Sequence, residues 1–229
     1  MPKKRVLILS YSYSHQTRNL LKKLVVGLNE SDIDLTWERL VAEQEMRFPI
    51  GSVSATLLLM VQTFFRKRFP VKAVNPKIFC QWDLIILAGP TWSYNPSGII
   101  LSFLDRDGEK LFAGQEVLPL ISCRGYWRVH YWGVRSLLRK CGARNVASPI
   151  VFNHPTAEPW NTIGVFLKLA GKMPESGKGW FRKFYPKYGH SRAQIKTAYE
   201  LGKEIGKDLN SGKAASQLSF ETPIPAERI

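Results

Sequence analysis

Apolar and polar positions along the chain fall into short unbroken apolar runs separated by longer stretches with helical spacing. The run VLIL within Arg5 to Leu9 predicts a short strand buried on both faces. From Thr17 to Leu28, apolar Leu20, Leu21, Leu24, Val25 and Leu28 form one helical stripe, with Gly27 and Asn29 weakening the last turn. Alternation of Ile33, Leu35 and Trp37 in DIDLTWERL predicts a second strand, and DLIILAGP a third that ends at Gly89-Pro90. A helix is expected over Ser97–Arg106, burying Ile99, Ile100, Phe103 and Leu104. EVLPLIS predicts the fourth strand, followed by a helix from about Val129 to Cys141 that Gly142 stops. SPIVF predicts the fifth. The last helix begins at Ser191, with Gln194 three residues on as a capping box, and buries Ile195, Ala198, Leu201, Ile205 and Leu209.

Strand and helix alternate, and the strands are short and apolar on both faces. That pattern predicts an α/β fold: a five-stranded, doubly wound parallel sheet. Ligands of such sheets lie beyond the carboxyl ends of the strands. Two segments break the alternation, about 43–76 and about 155–190, and read as insertions on a single domain covering residues 1–211. Residues 212–229 read as a disordered tail.

Composition narrows the chemistry. The chain has 229 residues, with 33 Lys and Arg against 18 Asp and Glu, a formal charge of +15 that suits an anionic partner. Cys80, Cys123 and Cys141 show neither metal spacing nor an even count, which points to a reducing compartment without a disulfide framework. No paired-histidine motif, CxxC or acidic cluster suggests a metal. No GxGxxG follows the first strand, and GKMPESGKG has the wrong spacing for a P-loop. The apolar run after the basic start is too short for a signal peptide. The uncharged stretch Phe48 to Phe65 contains Pro49, Gly51 and Gln62 and is rejected as a membrane span. A cytoplasmic location is expected. Both insertions mix apolar residues with Lys and Arg, as in ATLLLMVQTFF beside RKRF, which suits a hydrophobic lid or peripheral contact with an anionic membrane. Nucleic acid is disfavoured, because no recognition motif accompanies the charge.

Three loops at the carboxyl edge of the expected sheet carry the candidate chemistry. After the first strand, SYSYSHQTRNL places Ser12, Ser14, Gln16 and Thr17 at a helix N-terminus, where backbone N–H groups and the helix dipole favour a phosphate. Ser14 as a simple helix cap is the alternative. SYSHQT resembles the T/S-x-T/S-G-x-T phosphate loop of the flavodoxin-like family, with His15 standing where that family has glycine. The resemblance implies that Ser12, Ser14, Gln16 and Thr17 hold the phosphate of FMN. His15 then either donates to that phosphate or marks a loop that has lost FMN.

GPTWSYNPSG after the third strand is similar to the GSPTWW or GPTxxG loop that borders the flavin ring in the same family. On that resemblance Pro90, Thr91, Trp92, Ser93, Tyr94 and Asn95 line the ring. SCRGYWRVHYW after the fourth strand resembles a CRxYW segment of a little-characterised branch, which also carries a YTYTQQT-type first loop and GSPTWW. Some flavodoxin-like relatives are labelled dialkylresorcinol condensing enzymes. The third loop adds Cys123, Arg124, Gly125, Tyr126 and Trp127 to the expected cofactor contacts. Cys123 also invites a nucleophile reading, with Arg124 lowering its pKa and His130 as base, although a cysteine ending a buried strand is usually core. His154 ends the fifth strand and can reach the same edge. The resemblance implies an FMN-dependent oxidoreductase that carries electrons from NAD(P)H to a quinone-like or other apolar acceptor. The alternative is a flavin-free scaffold whose sheet edge binds a lipid-like ligand or acidic partner.

Overall fold

The computed structural model describes residues 3–154, 156, 158–173, 181–185, 188–220 and 224. In chain order it contains β1 (Lys4–Ser10), α1 (Gln16–Leu28), β2 (Ile33–Arg39), α2 (Val53–Phe64), β3 (Leu84–Trp92) and β4 (Asn95–Pro96). Then follow α3 (Gly98–Phe112), β5 (Glu116–Cys123), α4 (Trp127–Lys140), β6 (Asn145–Val146) and β7 (Ile150–Asn153). The chain closes with α5 (Trp160–Leu169), α6 (Phe181–Phe184) and α7 (Arg192–Asn210).

Strands β2, β1, β3 and β5 pair in that order, all parallel. Beyond β5 the sheet's last position is shared: β6 pairs with Glu116 and Val117, and β7 with Leu120 through Cys123. The expected fifth strand, SPIVF, is β7; the short β6 precedes it at the same edge, and the two are separated at residues 147–149, where Pro149 cannot donate to a ladder. Alternation within the strands sends Val6 and Ile8 to one face and Leu7 and Leu9 to the other. The first face packs on α1 and α7, the second on α3 and α4, which makes the sheet doubly wound.

Helices α1 and α7 touch backbone to backbone. A Cβ on Gly27 would lie 2.1 Å from the Tyr199 carbonyl oxygen, and one on Gly202 2.2 Å from that of Leu24. Gly27, a weak helix residue by propensity, is thus explained by close packing rather than by a helix end.

The segment after Gly212 departs from the expected disordered tail. Ala215 and Leu218 are buried against the first core face, and the Ile224 amide donates to Val151 O at 2.8 Å. Residues 221–223 and 225–229 lie outside the described residues. The two insertions meet over the carboxyl edge of the sheet. Ile50 and Gly51 amides both donate to Leu169 O, the last residue of α5. Among the described residues no helix is long and apolar enough to cross a membrane.

Candidate functional site

The first loop leaves β1 with buried Tyr11, whose amide donates to Ala88 O at 3.0 Å. His15 is the N-cap of α1 and adopts φ 60°, the left-handed region, with no side-chain cap bond. That conformation costs an L-residue roughly 1–2 kcal/mol and is the one glycine supplies freely. The turn therefore survives the departure from glycine, with the exposed imidazole outside it. Ser12, not Ser14, meets a helix amide: its Oγ accepts from Arg18 N at 3.3 Å. Thr17 is buried, and the first turn of α1 carries no acidic residue. The Gln16 Nε2 is buried without an acceptor and lies beside Gly189 from the second insertion.

The second loop is a two-residue hairpin, with Thr91 opposite Pro96 and Trp92 opposite Asn95. Its central residues Ser93 and Tyr94 both have positive φ, 43° and 71°. Such turns normally use Asn or Gly. Here polar bonds from α2 hold the turn. Ser93 Oγ donates to Met60 O at 3.0 Å and pairs with Thr63 Oγ1 at 2.8 Å, while Asn95 Nδ2 donates to Thr63 O at 3.2 Å. Trp92 turns back into the domain, edge-on to Tyr11, Tyr13 and Phe69. Thr91 Oγ1 lies 2.8 Å from His130 Nδ1, and Pro90 is half-buried behind it. Tyr94 is exposed and meets Tyr126 of the third loop edge-to-face, with ring centroids 4.7 Å apart.

Cys123 ends β5, and Gly125 (φ 139°) and Tyr126 (φ 54°) turn the chain into α4, which begins at Trp127. Burial pushes the Cys123 thiol up to about 11, more than the nearby Gly125 backbone and Arg124 lower it. Its Sγ sits 3.6 Å from Asn153 Oδ1. A thiol so protonated is no nucleophile at neutral pH. His130, the suggested base, is buried, held down to about 3 by desolvation, and already engaged with Thr91.

Arg124 is gripped by the second insertion. Its Nη1 donates to Tyr185 OH, its guanidinium lies 4.3 Å over the Tyr188 ring, and its Nη2 is buried without an acceptor. Asn161 of α5 donates to Arg124 O. Tyr188 also contacts Phe48 of the first insertion, 6.0 Å between centroids. These lid residues were not singled out from sequence; the aromatic spacing in GWFRKFYPKYGH was the only signal. His154 stacks on Tyr185 at 5.6 Å.

A second unanticipated chain runs Ser122, His190, Gln194. Ser122 Oγ is 2.9 Å from His190 Nε2, and His190 Nδ1 is 3.2 Å from Gln194 Oε1. An amide oxygen only accepts, so Nδ1 carries the proton and the serine hydroxyl donates to Nε2. The connectivity is that of a catalytic triad, but the orienting group is neutral. Desolvation chiefly, with a smaller push from the Arg124 charge and against the bond to Gln194, holds His190 down to about 4. An imidazolium is disfavoured there, so the chain orders the loop rather than activating Ser122.

The structure thus brings the third loop to the second through Tyr94 and Tyr126, and to the first through residues 188–190. A cavity of about 450 Å³ opens on the β2 side of the first loop, lined by Ser12, Tyr13, His15, Arg18, Arg39 and Lys72 among others. No residue of the second or third loop lines it. Among the described residues no cluster of three potential metal ligands occurs.

No family model matches the chain, and no curated protein matches it. Solved structures do. A flavoprotein from Lactobacillus acidophilus, in complex with FMN, is 22% identical over 63% of this chain and 92% of its own, with a TM-score of 0.48. A flavodoxin from the domain Archaea is 9% identical over 90% of this chain and 99% of its own, TM-score 0.49. A WrbA-like protein from Agrobacterium tumefaciens is 13% identical over 92% and 100%, TM-score 0.46. The strand order β2-β1-β3-β5, completed at the edge by β6 and β7, decides the class. The fold is flavodoxin-like. Among the described residues four of the five non-glycine residues with positive φ, His15, Ser93, Tyr94 and Tyr126, lie in its three carboxyl-edge loops; the fifth, Arg66, follows α2.

Proposed function

We propose that this chain binds FMN and carries electrons from NAD(P)H to a quinone-like or other apolar acceptor. One observation carries the reading: His15 sits in the conformation that a phosphate loop requires, at the N-terminus of a helix whose Gln16 Nε2 is buried with no acceptor. A buried donor left unpaired costs about 1–3 kcal/mol, and a phosphate oxygen would satisfy it. The phosphate end therefore fits FMN, with Ser12, Ser14, Gln16 and Thr17 as its donors. At the ring end, Tyr94 and Tyr126 offer aromatic surface, and the backbones of Pro90–Asn95 and Cys123–Trp127 form the two walls. Trp92 braces its loop from behind, since its edge contacts already occupy it. Arg124 Nη2, also buried and unpaired, supplies a fixed cationic donor to anionic or carbonyl oxygen.

Bound FMN would supply the hydride and electron chemistry. The protein would bind the phosphate and cover it with the two insertions, while His130, His190 and Cys123 beside the site stay buried and neutral. The charge of +15 sets the chain apart from acidic flavodoxin carriers. A cytoplasmic location accords with its free cysteines.

The cavity on the β2 side favours one other reading, a flavin-free scaffold that takes a lipid-like ligand or acidic partner there. Titration with FMN, followed by flavin fluorescence, separates the two. Thr17→Ala should weaken binding by about 1.5–3 kcal/mol, the loss of a hydrogen bond to a charged group. His15→Gly should bind FMN at least as well as wild type, because the imidazole makes no cap bond; weaker binding would make it a phosphate ligand. A colourless protein with no response to FMN refutes the flavin reading and leaves the scaffold.

A further inference from the structure

Helix α2 faces the wrong way for a soluble domain. Its buried positions are Thr56 and Thr63, while Val53, Leu57, Leu58, Val61 and Phe64 are exposed, followed by Phe65. Leu58 is 58% exposed and Phe65 76%. This orientation is specified by hydrogen bonds. Thr63 bonds Ser93 across 2.8 Å, and Ser93 and Asn95 donate to carbonyls of α2. Rotating the helix to bury its leucines would break all of these. The apolar surface continues from Phe65 to Phe64, to Tyr94 and to Tyr126 through successive edge contacts. Val129 and Trp132 of α4 are exposed as well.

We infer that α2, with Phe65 and the Tyr94–Tyr126 pair, is an interfacial surface that docks on an anionic lipid bilayer. The charge around it selects that occupant. No Asp or Glu occurs from Met46 to Trp82, nor from Val117 to Ala157, the segments that build the surface. Their charges are all positive. Lys67 and Arg128 are exposed, and Arg66 reaches α4 beside Gly133. A second copy meeting the same face would press like charges together with no acid in those segments to pair them. Anionic head groups pair them instead. At 1.5 Å per residue the 12-residue helix is about 18 Å long, too short to span a bilayer and suited to lie in its interface. The inference stands without the flavin reading: the Tyr94–Tyr126 pair belongs to both surfaces, but the residues its test substitutes, Leu58, Phe65, Lys67 and Arg128, are none of those assigned to FMN.

The test is co-sedimentation of the full chain with phosphatidylcholine vesicles and with vesicles containing phosphatidylglycerol, across a salt series. Wild type should sediment with the anionic vesicles and hardly with the neutral ones, and salt should weaken it progressively. Leu58→Gln with Phe65→Gln should reduce binding at least tenfold at every salt concentration. Both side chains face solvent, so an unchanged melting temperature shows that this variant folds. Lys67→Gln with Arg128→Gln should weaken binding about fivefold per charge at low salt and have little effect at high salt. Absence of wild-type binding to anionic vesicles overturns the inference, as does binding that the apolar pair leaves untouched. A wild-type dimer in sedimentation velocity that Leu58→Gln with Phe65→Gln dissociates would assign the face to a second copy and overturn it too.

Discussion

The same substitution, Gly→Ala, should have opposite signs at two helical sites in this domain. Gly202 lies in α7 where it crosses α1; an added Cβ would sit 2.2 Å from Leu24 O and 2.9 Å from Leu28 N. Both are backbone atoms, so no side chain can swing aside and the helices must separate. Overpacking of this kind costs about 1–3 kcal/mol, against about 1 kcal/mol gained in helix propensity. With contacts this short the upper end applies, for a net loss of about 1–2 kcal/mol. Gly133 lies in α4, where an added Cβ meets Pro96 Cδ at 3.8 Å and Arg66 Nη2 at 3.9 Å, both ordinary contacts. Only the propensity gain remains there, so Gly133→Ala should stabilise by about 0.5–1 kcal/mol. In a chain of 229 residues, 1 kcal/mol moves the melting temperature by roughly 2–4 °C. Thermal and urea unfolding should therefore place Gly202→Ala below wild type and Gly133→Ala above it. Stabilisation of both would refute the close crossing, and with it the account of how α1 is held to present its N-terminus.

Acid should destabilise the fold through its buried histidines. His130 and His190 are held down to about 3 and about 4, below the ordinary 6.5, so the unfolded chain binds more protons below pH 6.5. Their contribution is intact above pH 6.5 and is lost as pH falls toward 4, up to about 2 kcal/mol each by pH 5. Urea midpoints at pH 7.5 and 5 measure it, and His130→Gln, which keeps a partner for Thr91, should remove about half the difference. Alkylation in native buffer should reach partly exposed Cys80 first. At pH 8, Cys123 with its thiol near 11 has a thiolate fraction roughly 100-fold below that of an ordinary cysteine. Rapid labelling of Cys123 in the mapped peptides would revive the nucleophile reading.

Local pattern was sufficient for the main sheet and its helices, because burial on both faces writes unbroken apolar runs and burial on one face writes a helical stripe. β1, β3, β5 and α7 could be placed from such runs and from the Ser191–Gln194 box, which forms as expected. The polar loops after β1, β3 and β5 were legible for the same reason: a parallel sheet gathers the ends of its strands at one edge. What the chain does across distance was not legible. That His15 takes φ 60° depends on the loop closing against Ala88, and that Gln16 is sealed depends on Gly189, far along the sequence. The Ser122–His190 bond, the grip of Tyr185 and Tyr188 on Arg124, and the burial of Ala215 and Leu218 are likewise contacts between remote segments. The rotation of α2 is the clearest case. Its sequence reads as an apolar insertion suited to a lid or a membrane contact, with no face assigned; in the fold its threonines hold the Ser93–Asn95 turn and its leucines face outward. Hydrophobicity is a property of each residue, but which face is buried is set by the partners a helix meets, and only the tertiary structure supplies those.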